Sequence, residues 1–266
     1  MVDVVEILIP VAVVGGIGCV LAVVLTIAHR FMSNEVNEKE KLLFDALPGA
    51  NCGGCGYPGC EAYAKALAEG KTKSTNLCAP GKKEVAEILA GVLGTDAGEV
   101  KEQKAFVHCR GDCNHNGIRA DYNGIASCAA RNIAFGGEKA CTQGCLGGGD
   151  CAAVCPADAI YIENGIAKVN TCKCISCGAC VKVCPNRIIS LIDMPATAAI
   201  ACSNTEKGAV TRKKCDTGCI ACLKCQKICP TDAIIVKDNL SRIDYEKCIR
   251  CGQCVEVCPV HCIAKI

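Results

Sequence analysis

Residues 219–230 read CIACLKCQKICP, and residues 248–259 read CIRCGQCVEVCP. Both segments carry four cysteines in the pattern C-x2-C-x2-C-x3-C, and a proline follows the last cysteine. This pattern is typical of paired [4Fe–4S] clusters, in which the fourth cysteine of each run binds the cluster of the other run. The predicted ligand sets are Cys219, Cys222, Cys225 and Cys258 for one cluster, and Cys248, Cys251, Cys254 and Cys229 for the other.

Zinc is the chemical competitor at these cysteines, because soft thiolate sulfur suits zinc as well as iron–sulfur clusters. Zinc sites typically pair two separated C-x2-C knuckles and require neither a third nearby cysteine nor a Cys-Pro ending. The spacing therefore favours clusters. We predict a ferredoxin-like unit with two clusters over residues 201–266, here called unit 2.

The same arrangement occurs a second time, 74 positions earlier in the chain. The segment CPADAIYIENGIAKVN from Cys155 aligns with CPTDAIIVKDNLSRID from Cys229, and each predicts a strand, a tight turn and a strand. A duplication of this kind predicts two copies of one fold. We therefore predict another ferredoxin-like unit with two clusters over residues 128–200, here called unit 1.

One position breaks the match between the two units, because Gly148 stands where unit 2 has Cys222. Unit 1 therefore lacks one of the usual ligands, and we predict that Cys141 replaces it. The predicted ligand sets of unit 1 are Cys141, Cys145, Cys151 and Cys184 for one cluster, and Cys174, Cys177, Cys180 and Cys155 for the other.

A separate group of cysteines lies nearer the amino terminus, in the segment NCGGCGYPGC at residues 51–60. Together with a later cysteine it gives the spacing C-x2-C-x4-C-x17-C, and four converging thiolates predict one further [4Fe–4S] cluster. The glycines let the backbone turn closely around a cluster, while zinc stays open as an alternative. We predict a small cluster domain over residues 49–92, with the ligands Cys52, Cys55, Cys60 and Cys78.

Several cysteines stay outside these sets, and residues 93–127 are predicted to form a connector that carries some of them. Cys109, Cys113 and Cys128 are candidates for one extra cluster, with Cys141 or another thiol as the fourth ligand. The alternative is that some of them are small core residues. The predicted number of clusters is five, or six with the extra one. The unassigned cysteines after the small domain are Cys109, Cys113, Cys128, Cys172, Cys202, Cys215 and Cys262.

The chain begins with an apolar run, Ile7 to Ala28, that has no charged side chain. A helix of this length rises roughly 33 Å, which is enough to cross a bilayer core. A cleaved signal peptide is the alternative, but the residues before the run carry no lysine or arginine. Basic residues follow the run, which favours a cytoplasmic location for the rest of the chain. We predict a transmembrane anchor in the cell membrane at residues 1–30 and a linker helix at residues 31–48.

The composition limits the function classes that need to be considered. The chain has 266 residues, 28 cysteines and a net charge of only +2. Cysteines in metal-ligand spacings favour reduced thiolates in a cytoplasm over a disulfide scaffold, and so small a charge gives no reason to expect a nucleic acid partner. The sequence has no nucleotide-binding loop and no nucleophile–base motif, so we predict no independent catalytic site.

The order of these parts resembles the B subunit of the Rnf complex, a membrane-bound, ion-translocating assembly that oxidises ferredoxin. The specific part of the resemblance is the apolar run followed by GANCGGCGYPGC at residues 49–60. The resemblance implies an α+β chain with one transmembrane helix, a small [4Fe–4S] domain and two tandem ferredoxin-like units. It also implies that reduced ferredoxin donates electrons, which the clusters relay to other subunits of the complex. NAD and a membrane-linked carrier both stay open as the terminal acceptor.

Two other functions are compatible with parts of the sequence. The cysteine spacing of the small domain also resembles modules of corrinoid proteins, so a membrane-tethered electron carrier for a hydrogenase or a corrinoid-type enzyme is one alternative. A metal-storage or cluster-scaffold protein is the other. Storage, however, gives no reason for ligands to cross repeatedly between paired clusters.

Overall fold

The computed structural model describes residues 15–27 and 38–266. Residues 15–27 form a helix, α1, and the chain from residue 38 onward folds as the small domain followed by unit 1 and unit 2. Helices predominate in the small domain, whereas both units combine short helices with paired strands.

The prediction of a transmembrane helix at the amino terminus is wrong. Part of the predicted span, residues 7–14 and 28, lies outside the described residues, as do residues 31–37 of the predicted linker. The described part of helix α1, residues 15–27, rises about 20 Å, and a bilayer core is about 30 Å thick. Across residues 15–27 and 38–266, no helix is both long and apolar enough to cross a membrane.

The small domain packs its helices around an apolar core. Leu43, Tyr63, Leu67 and Leu89 are each at most 2% exposed. The hydroxyl of Tyr63 donates a hydrogen bond to the carbonyl of Ser74 at 2.6 Å, so this buried polar group is satisfied. The elements are α2 (Glu38–Asp45), α3 (Cys60–Ala68), a 3₁₀ turn (Thr75–Leu77) and α4 (Lys82–Leu93).

Unit 1 and unit 2 have the same topology, in which the first strand pairs with the last and the two middle strands form a hairpin. Unit 1 contains β1 (Gln103–Val107), α5 (Cys128–Phe135), α6 (Asp150–Ala153), β2 (Ile160–Glu163), β3 (Ile166–Val169), α7 (Ala179–Val183) and β4 (Ile189–Asp193). Unit 2 contains β5 (Ala198–Ile200), α8 (Gly208–Lys214), α9 (Lys224–Ile228), β6 (Ile234–Lys237), β7 (Leu240–Ile243), α10 (Gln253–Val257) and β8 (Ile263–Lys265).

All of these strand pairs are antiparallel: β1 with β4, β2 with β3, β5 with β8, and β6 with β7. The hairpins β2–β3 and β6–β7 are the strand–turn–strand segments that the duplicated sequence predicts. In the outer pairs, Val107 lies opposite Ile189, and Ile200 lies opposite Ile263. These four apolar side chains are buried, so each outer pair presents one face to the core of its unit.

Strand pairing crosses two of the predicted domain boundaries. Strand β1 lies within the predicted connector, residues 93–127, yet it pairs with β4 of unit 1. Strand β5 lies within the stretch predicted as unit 1, residues 128–200, yet it pairs with β8 of unit 2. In both cases the partner strand lies far along the chain, so no local sequence signal marks the true start of the unit.

Cysteine takes a large part in the cores of both units. The chain has no tryptophan and only four phenylalanines to bury. Because large apolar side chains are scarce, we expect ligand binding by the cysteines to contribute much of the folding free energy. The buried core of unit 2 combines aliphatic residues with Cys202, Cys219, Cys225, Cys258 and Cys262, and that of unit 1 includes Cys145, Cys151 and Cys180.

The two units are joined through His108, which follows β1. Its Nδ1 lies 2.6 Å from the carbonyl oxygen of Ile200 in β5, and its Nε2 lies 2.7 Å from Ser190 Oγ in β4. Burial lowers the pKa of His108, so the ring is neutral. Since a carbonyl only accepts, Nδ1 carries the proton and Nε2 accepts a hydrogen bond from Ser190. The ring therefore fixes the two units against each other.

Candidate iron–sulfur centres

The four cysteines predicted for the small domain line one cavity with an empty volume of about 310 Å³. Cys60 begins α3, and its N–H donates to Asn51 Oδ1 at 2.9 Å, which fixes the start of the helix beside the cavity. Burial raises the pKa of the Cys78 thiol, and neighbouring cysteines raise it further. Binding of a cation is therefore coupled to loss of thiol protons. The small-domain site, as we call it, consists of Cys52, Cys55, Cys60 and Cys78.

In unit 1 the structure brings together a set of cysteines that differs from the predicted one by a single member. Cys128 lines a cavity with an empty volume of about 340 Å³, and Cys141 does not. Burial raises the pKa of the Cys151 thiol to about 12, and the other cysteines of the set add to the rise. The unit 1 inner site, as we call it, consists of Cys128, Cys145, Cys151 and Cys184.

Gly148 shows why position 148 contributes no ligand. A Cβ atom there would lie 2.3 Å from the amide nitrogen of Cys128 and 2.5 Å from the carbonyl carbon of Ser127. The start of α5 therefore occupies the space that a side chain at position 148 needs. Asp150 holds α5 in this place, because Oδ1 accepts from the N–H of Cys128 at 2.8 Å and Oδ2 accepts from the N–H of Ala129 at 3.0 Å.

The second predicted set of unit 1 is brought together as expected. Burial raises the pKa of the Cys180 thiol to about 11, and the other three cysteines of the set add to the rise. Backbone N–H groups point at two of the sulfurs, from Ala105 to Cys174 Sγ at 3.5 Å and from Ala159 to Cys155 Sγ at 3.3 Å. The unit 1 outer site, as we call it, consists of Cys155, Cys174, Cys177 and Cys180.

Unit 2 places members of both predicted sets near one another. In the first set, burial raises the pKa of Cys225, and Cys219 and Cys222 act in the same direction. In the second, burial raises the pKa of Cys254 to about 11, with further contributions from its neighbours in the run, and Cys229 packs against the same core as Cys254. The unit 2 inner site consists of Cys219, Cys222, Cys225 and Cys258. The unit 2 outer site consists of Cys229, Cys248, Cys251 and Cys254.

Cys262 touches the unit 2 inner site without belonging to the predicted set. It is 2% exposed, and its sulfur lies 3.7 Å from Cys258 Sγ. Hydrogen bonds with the sulfurs of Cys219 and Cys258 raise the pKa of Cys262. When those two sulfurs are thiolate ligands of a cluster they can only accept, so the thiol of Cys262 is the donor. The equivalent position in unit 1 is Ile188, which has no donor.

The predicted extra cluster is not assembled from the cysteines proposed for it. Cys109 lies at the junction of the two units, Cys113 is exposed, and Cys128 belongs to the unit 1 inner site. Cys141, the candidate fourth ligand, also lies at the junction.

One local signal for Cys128 was present in the sequence. Cys128 is the first residue of α5, after the N-cap Ser127, whose hydroxyl oxygen accepts from the N–H of Ala130. Cys60 has the same place at the start of α3. In both cases the helix start orients a thiol toward a cavity lined by cysteines.

Cavities lined by cysteines are the places where [4Fe–4S] clusters are expected. The small-domain site, the unit 1 inner site and the junction cavity have empty volumes of about 310, 340 and 300 Å³. Among residues 15–27 and 38–266, no group of three or more His, Cys, Asp or Glu side chains is placed to hold a single metal ion. The sets of four thiols fit [4Fe–4S] clusters.

Models of known protein families match the same parts of the chain. They identify a putative Fe-S cluster at residues 47–80, 4Fe-4S dicluster domains at residues 138–185 and 173–233, and a 4Fe-4S binding domain at residues 241–264. The cofactors of this chain are therefore [4Fe–4S] clusters, as predicted.

Known proteins resemble the chain over most of its length. It is 42% identical over 259 residues to the B subunit of the Na⁺-translocating ferredoxin:NAD⁺ oxidoreductase complex of Acetobacterium woodii, which covers 97% of this chain and 78% of the relative. It is 44% identical over 229 residues to the B subunit of the proton-translocating ferredoxin:NAD⁺ oxidoreductase complex of Clostridium ljungdahlii, covering 86% and 81%. It is 37% identical over 238 residues to the B subunit of the ion-translocating oxidoreductase complex of Methanosarcina acetivorans, covering 89% and 90%. The chain belongs to this family, the B subunits of ion-translocating oxidoreductase (Rnf) complexes, and is an iron–sulfur electron-transfer subunit.

Proposed function

We propose that this subunit accepts electrons from reduced ferredoxin and passes them along a row of [4Fe–4S] clusters to other subunits of a membrane-associated, ion-translocating complex. The observation that carries the proposal is the contact between successive cysteine sites along the molecule. A bound [4Fe–4S] cluster supplies one-electron redox chemistry, with a potential set by its surroundings.

Five clusters are assigned to the five cysteine sites of the small domain and the two units. Three of the ligand sets in the units follow the spacing of the sequence, with the fourth cysteine crossing over between the paired clusters. In the unit 1 inner site, Cys128 takes the role that the sequence assigned to Cys141. This assignment is supported by the cavity that Cys128 lines and by the lack of space for a side chain at Gly148.

The small-domain site adjoins the outer site of unit 1. A Cβ atom at Gly54 would lie 2.7 Å from the carbonyl oxygen of Cys177, so only glycine allows this close approach. Beside it, Lys182 Nζ donates to the carbonyl of Gly53 at 3.2 Å. Burial raises the pKa of Cys177, and among the cysteines Cys52 adds most to the rise. This contact supports electron transfer between the small domain and unit 1.

The inner and outer sites of each unit also adjoin one another. In unit 1, Cys180 of the outer site raises the pKa of Cys151 in the inner site. Its contribution is smaller than those of burial and of the other inner-site cysteines. In unit 2, Cys225 of the inner site likewise raises the pKa of Cys254 in the outer site. Short distances between sites favour fast transfer inside each unit.

Backbone amides stabilise the negative charge that sulfur carries at these sites. The N–H of Ala167 points at Cys145 Sγ at 3.3 Å. At the outer site of unit 1, the N–H of Ala105 points at Cys174 Sγ and the N–H of Ala159 points at Cys155 Sγ. Hydrogen bonds to sulfur favour the reduced state, because it bears more negative charge. The strands β1 and β3 and the turn before β2 thus help to set the reduction potentials in unit 1.

The outer site of unit 2 is proposed as the place where a soluble donor delivers electrons. Cys251 is exposed, whereas its counterpart in unit 1, Cys177, is 8% exposed and lies against the small domain. Ferredoxin is proposed as the donor because the relatives from Acetobacterium woodii and Clostridium ljungdahlii are subunits of ferredoxin:NAD⁺ oxidoreductases. On this assignment electrons enter at unit 2 and leave through the small domain.

The test is to mix the full chain, prepared without oxygen and with its clusters in place, with reduced ferredoxin. Rapid bleaching of the visible cluster absorbance and new electron paramagnetic resonance signals are expected. A Cys251→Ala variant is expected to react at least several-fold more slowly. Its matched control is Cys113→Ala, which removes another exposed thiol and is expected to react at the normal rate. Clusters that stay oxidised in the unmodified chain would overturn the proposal.

A further inference from the structure

We infer that a sixth [4Fe–4S] cluster lies between unit 1 and unit 2, held by Cys109, Cys141, Cys202 and Cys215, here called the bridging site. These four cysteines line the junction cavity. Its empty volume of about 300 Å³ matches the values of about 310 and 340 Å³ at the small-domain site and the unit 1 inner site. Four converging thiols are also the donor set that a [4Fe–4S] cluster takes.

The bridging site has the symmetry of the duplication. Cys141 and Cys215 are 74 positions apart and are therefore equivalent residues of the two units. Cys109 stands two positions after the end of β1, and Cys202 stands two positions after the end of β5. These strands have equivalent places in their units, because each pairs with the last strand. Each unit thus supplies two thiols to the site, one beyond its first strand and one at the repeated position.

The four sulfurs converge on a space kept open by glycine. A Cβ atom at Gly144 would lie 3.3 Å from Cys109 Sγ and 3.8 Å from Cys141 Sγ. A Cβ atom at Gly111 would lie 3.0 Å from Cys215 Sγ. The thiol of Cys141 is also close enough to Cys215 for a direct electrostatic interaction. Glycine at these two positions lets the backbone approach the sulfurs closely, as it does around the small-domain site.

Each of the four sulfurs has its own hydrogen-bonding group. The amide N–H groups of Cys145 and Cys219 donate to Cys109 Sγ and Cys202 Sγ, both at 3.3 Å, and Asn204 Nδ2 donates to Cys141 Sγ at 3.5 Å. The hydroxyl of Thr217 lies 3.3 Å from Cys215 Sγ. Amide nitrogens can only donate, so three of the sulfurs act as acceptors. Cysteines that serve only as small packing residues need no such donors, whereas cluster ligands are stabilised by them.

Cations lie beside the site, and the carboxylate that acts on Cys141, that of Glu206, is paired with Lys214 at 2.6 Å. Arg110 lines the cavity. Lys139 Nζ lies close by, bound to the carbonyl oxygens of Gly111 and Gly165 at 3.0 and 2.7 Å. These cations offset the negative charge that four thiolates and a cluster bring into a buried place.

The bridging site joins the inner sites of the two units through the backbone. The N–H that points at Cys109 belongs to Cys145, a ligand of the unit 1 inner site, and the N–H that points at Cys202 belongs to Cys219, a ligand of the unit 2 inner site. The sixth cluster therefore completes a continuous row from the outer site of unit 2 to the small domain. The inference extends the proposed relay, but its test depends on iron alone and not on ferredoxin.

The first measurement is iron and acid-labile sulfide in the full chain, purified without oxygen and fully loaded. With four irons per cubane, six clusters give about 24 irons per chain and five give about 20. About 24 irons in the unmodified chain is the expected result. A value of about 20 overturns the inference, and this outcome does not depend on how any variant folds.

The second measurement places the sixth cluster at the junction. Cys202→Ala and Cys141→Ala are each expected to lose about four irons, and the double variant the same four, because the two thiols share one cluster. Cys202→Ala combined with Cys151→Ala is expected to lose about eight. Cys172→Ala, which removes an exposed thiol outside every site, is the matched control and is expected to lose none. Full iron content in Cys202→Ala, or a loss of eight irons in the double variant of Cys141 and Cys202, contradicts the assignment.

Discussion

Unit 1 and unit 2 share one fold and one 74-residue repeat, yet they complete their inner sites differently. Unit 2 draws on Cys222, within the run of closely spaced cysteines, and this residue is exposed. Unit 1 has Gly148 at that position and presents Cys128, which is 8% exposed, from the start of α5. The difference teaches that a ligand is defined by where its sulfur lies in the fold and not by its position in a sequence run.

The two units also differ in what surrounds their cysteine sites. The outer site of unit 1 is covered by the small domain, whereas Cys251 leaves that of unit 2 open. At the inner sites, unit 2 has the thiol donor Cys262 where unit 1 has the aliphatic Ile188. Solvent access and hydrogen bonds to sulfur both change reduction potentials, so equal folds are expected to hold unequal clusters.

Removal of iron is expected to have the largest effect, because it should unfold unit 1 and unit 2 alike. A strong chelator should unfold both units, because their cores contain many cysteines and ligation of a structural metal contributes on the order of 10 kcal/mol. Far-ultraviolet circular dichroism measures the loss. The same chelator already saturated with iron is the control. An unchanged spectrum after complete iron removal contradicts the role given to the clusters in folding.

The second prediction concerns the exchanged ligand itself. Cys128→Ala is expected to remove about four irons, the content of one cubane, just as Cys222→Ala does in unit 2. Combining Cys128→Ala with Cys145→Ala should remove no more than either change alone, because both thiols belong to one site. Iron analysis of the four variants, Cys128→Ala, Cys145→Ala, their combination and Cys222→Ala, measures this. Full iron content in Cys128→Ala would return Cys141 to the role predicted from the sequence.

The third prediction sharpens the reason for the exchange. Gly148→Ala is expected to lower the free energy of unfolding by about 2 kcal/mol, because its Cβ would press on the backbone of Cys128. For a chain of this size that is roughly 4–8 °C in Tm, read from the loss of cluster absorbance on heating. The control is Gly91→Ala in α4, where nothing lies within 4 Å and alanine should stabilise the helix slightly. Equal Tm values for the two variants would show that position 148 has room for a side chain.

The smallest expected effect is at the thiol that distinguishes the inner sites. Cys262→Ala removes a donor from Cys219 and Cys258, which should lower the reduction potential of the unit 2 inner cluster by about 40 mV, the equivalent of one hydrogen bond of roughly 1 kcal/mol. A redox titration followed by electron paramagnetic resonance measures the shift. Cys172→Ala, at an exposed thiol, is the control. If the reduction potential of this cluster does not fall in Cys262→Ala, Cys262 does not contribute to a difference in potential between the two inner sites.

Much of the candidate site could be predicted from spacing. Within a C-x2-C-x2-C run the backbone links the thiols so closely that only a few arrangements are open, and the proline-linked fourth cysteine identifies the crossover. The structure brings these predicted sets together at the small domain, at the outer site of unit 1 and in unit 2. The duplicated hairpins, β2–β3 and β6–β7, could be predicted too, because each pairs two strands that are adjacent in the sequence.

The apolar run Ile7 to Ala28 shows the limit of composition as a guide. Its hydropathy predicted a span across a bilayer, but the helix described within it covers only residues 15–27. Hydropathy reports which residues are apolar and does not by itself show that they form one helix long enough to cross a bilayer.

The sequence by itself determined that this chain carries [4Fe–4S] clusters, that its ferredoxin-like unit is duplicated and that Gly148 interrupts one ligand set. Only the tertiary structure decided which strands start each unit, where Cys128 and Cys141 lie, and that four cysteines from both units meet at the junction. The physical reason is distance along the chain. Cysteines a few residues apart are held together by covalent geometry, whereas Cys109 and Cys202 meet only because β1 and β5 are placed by pairing with distant strands.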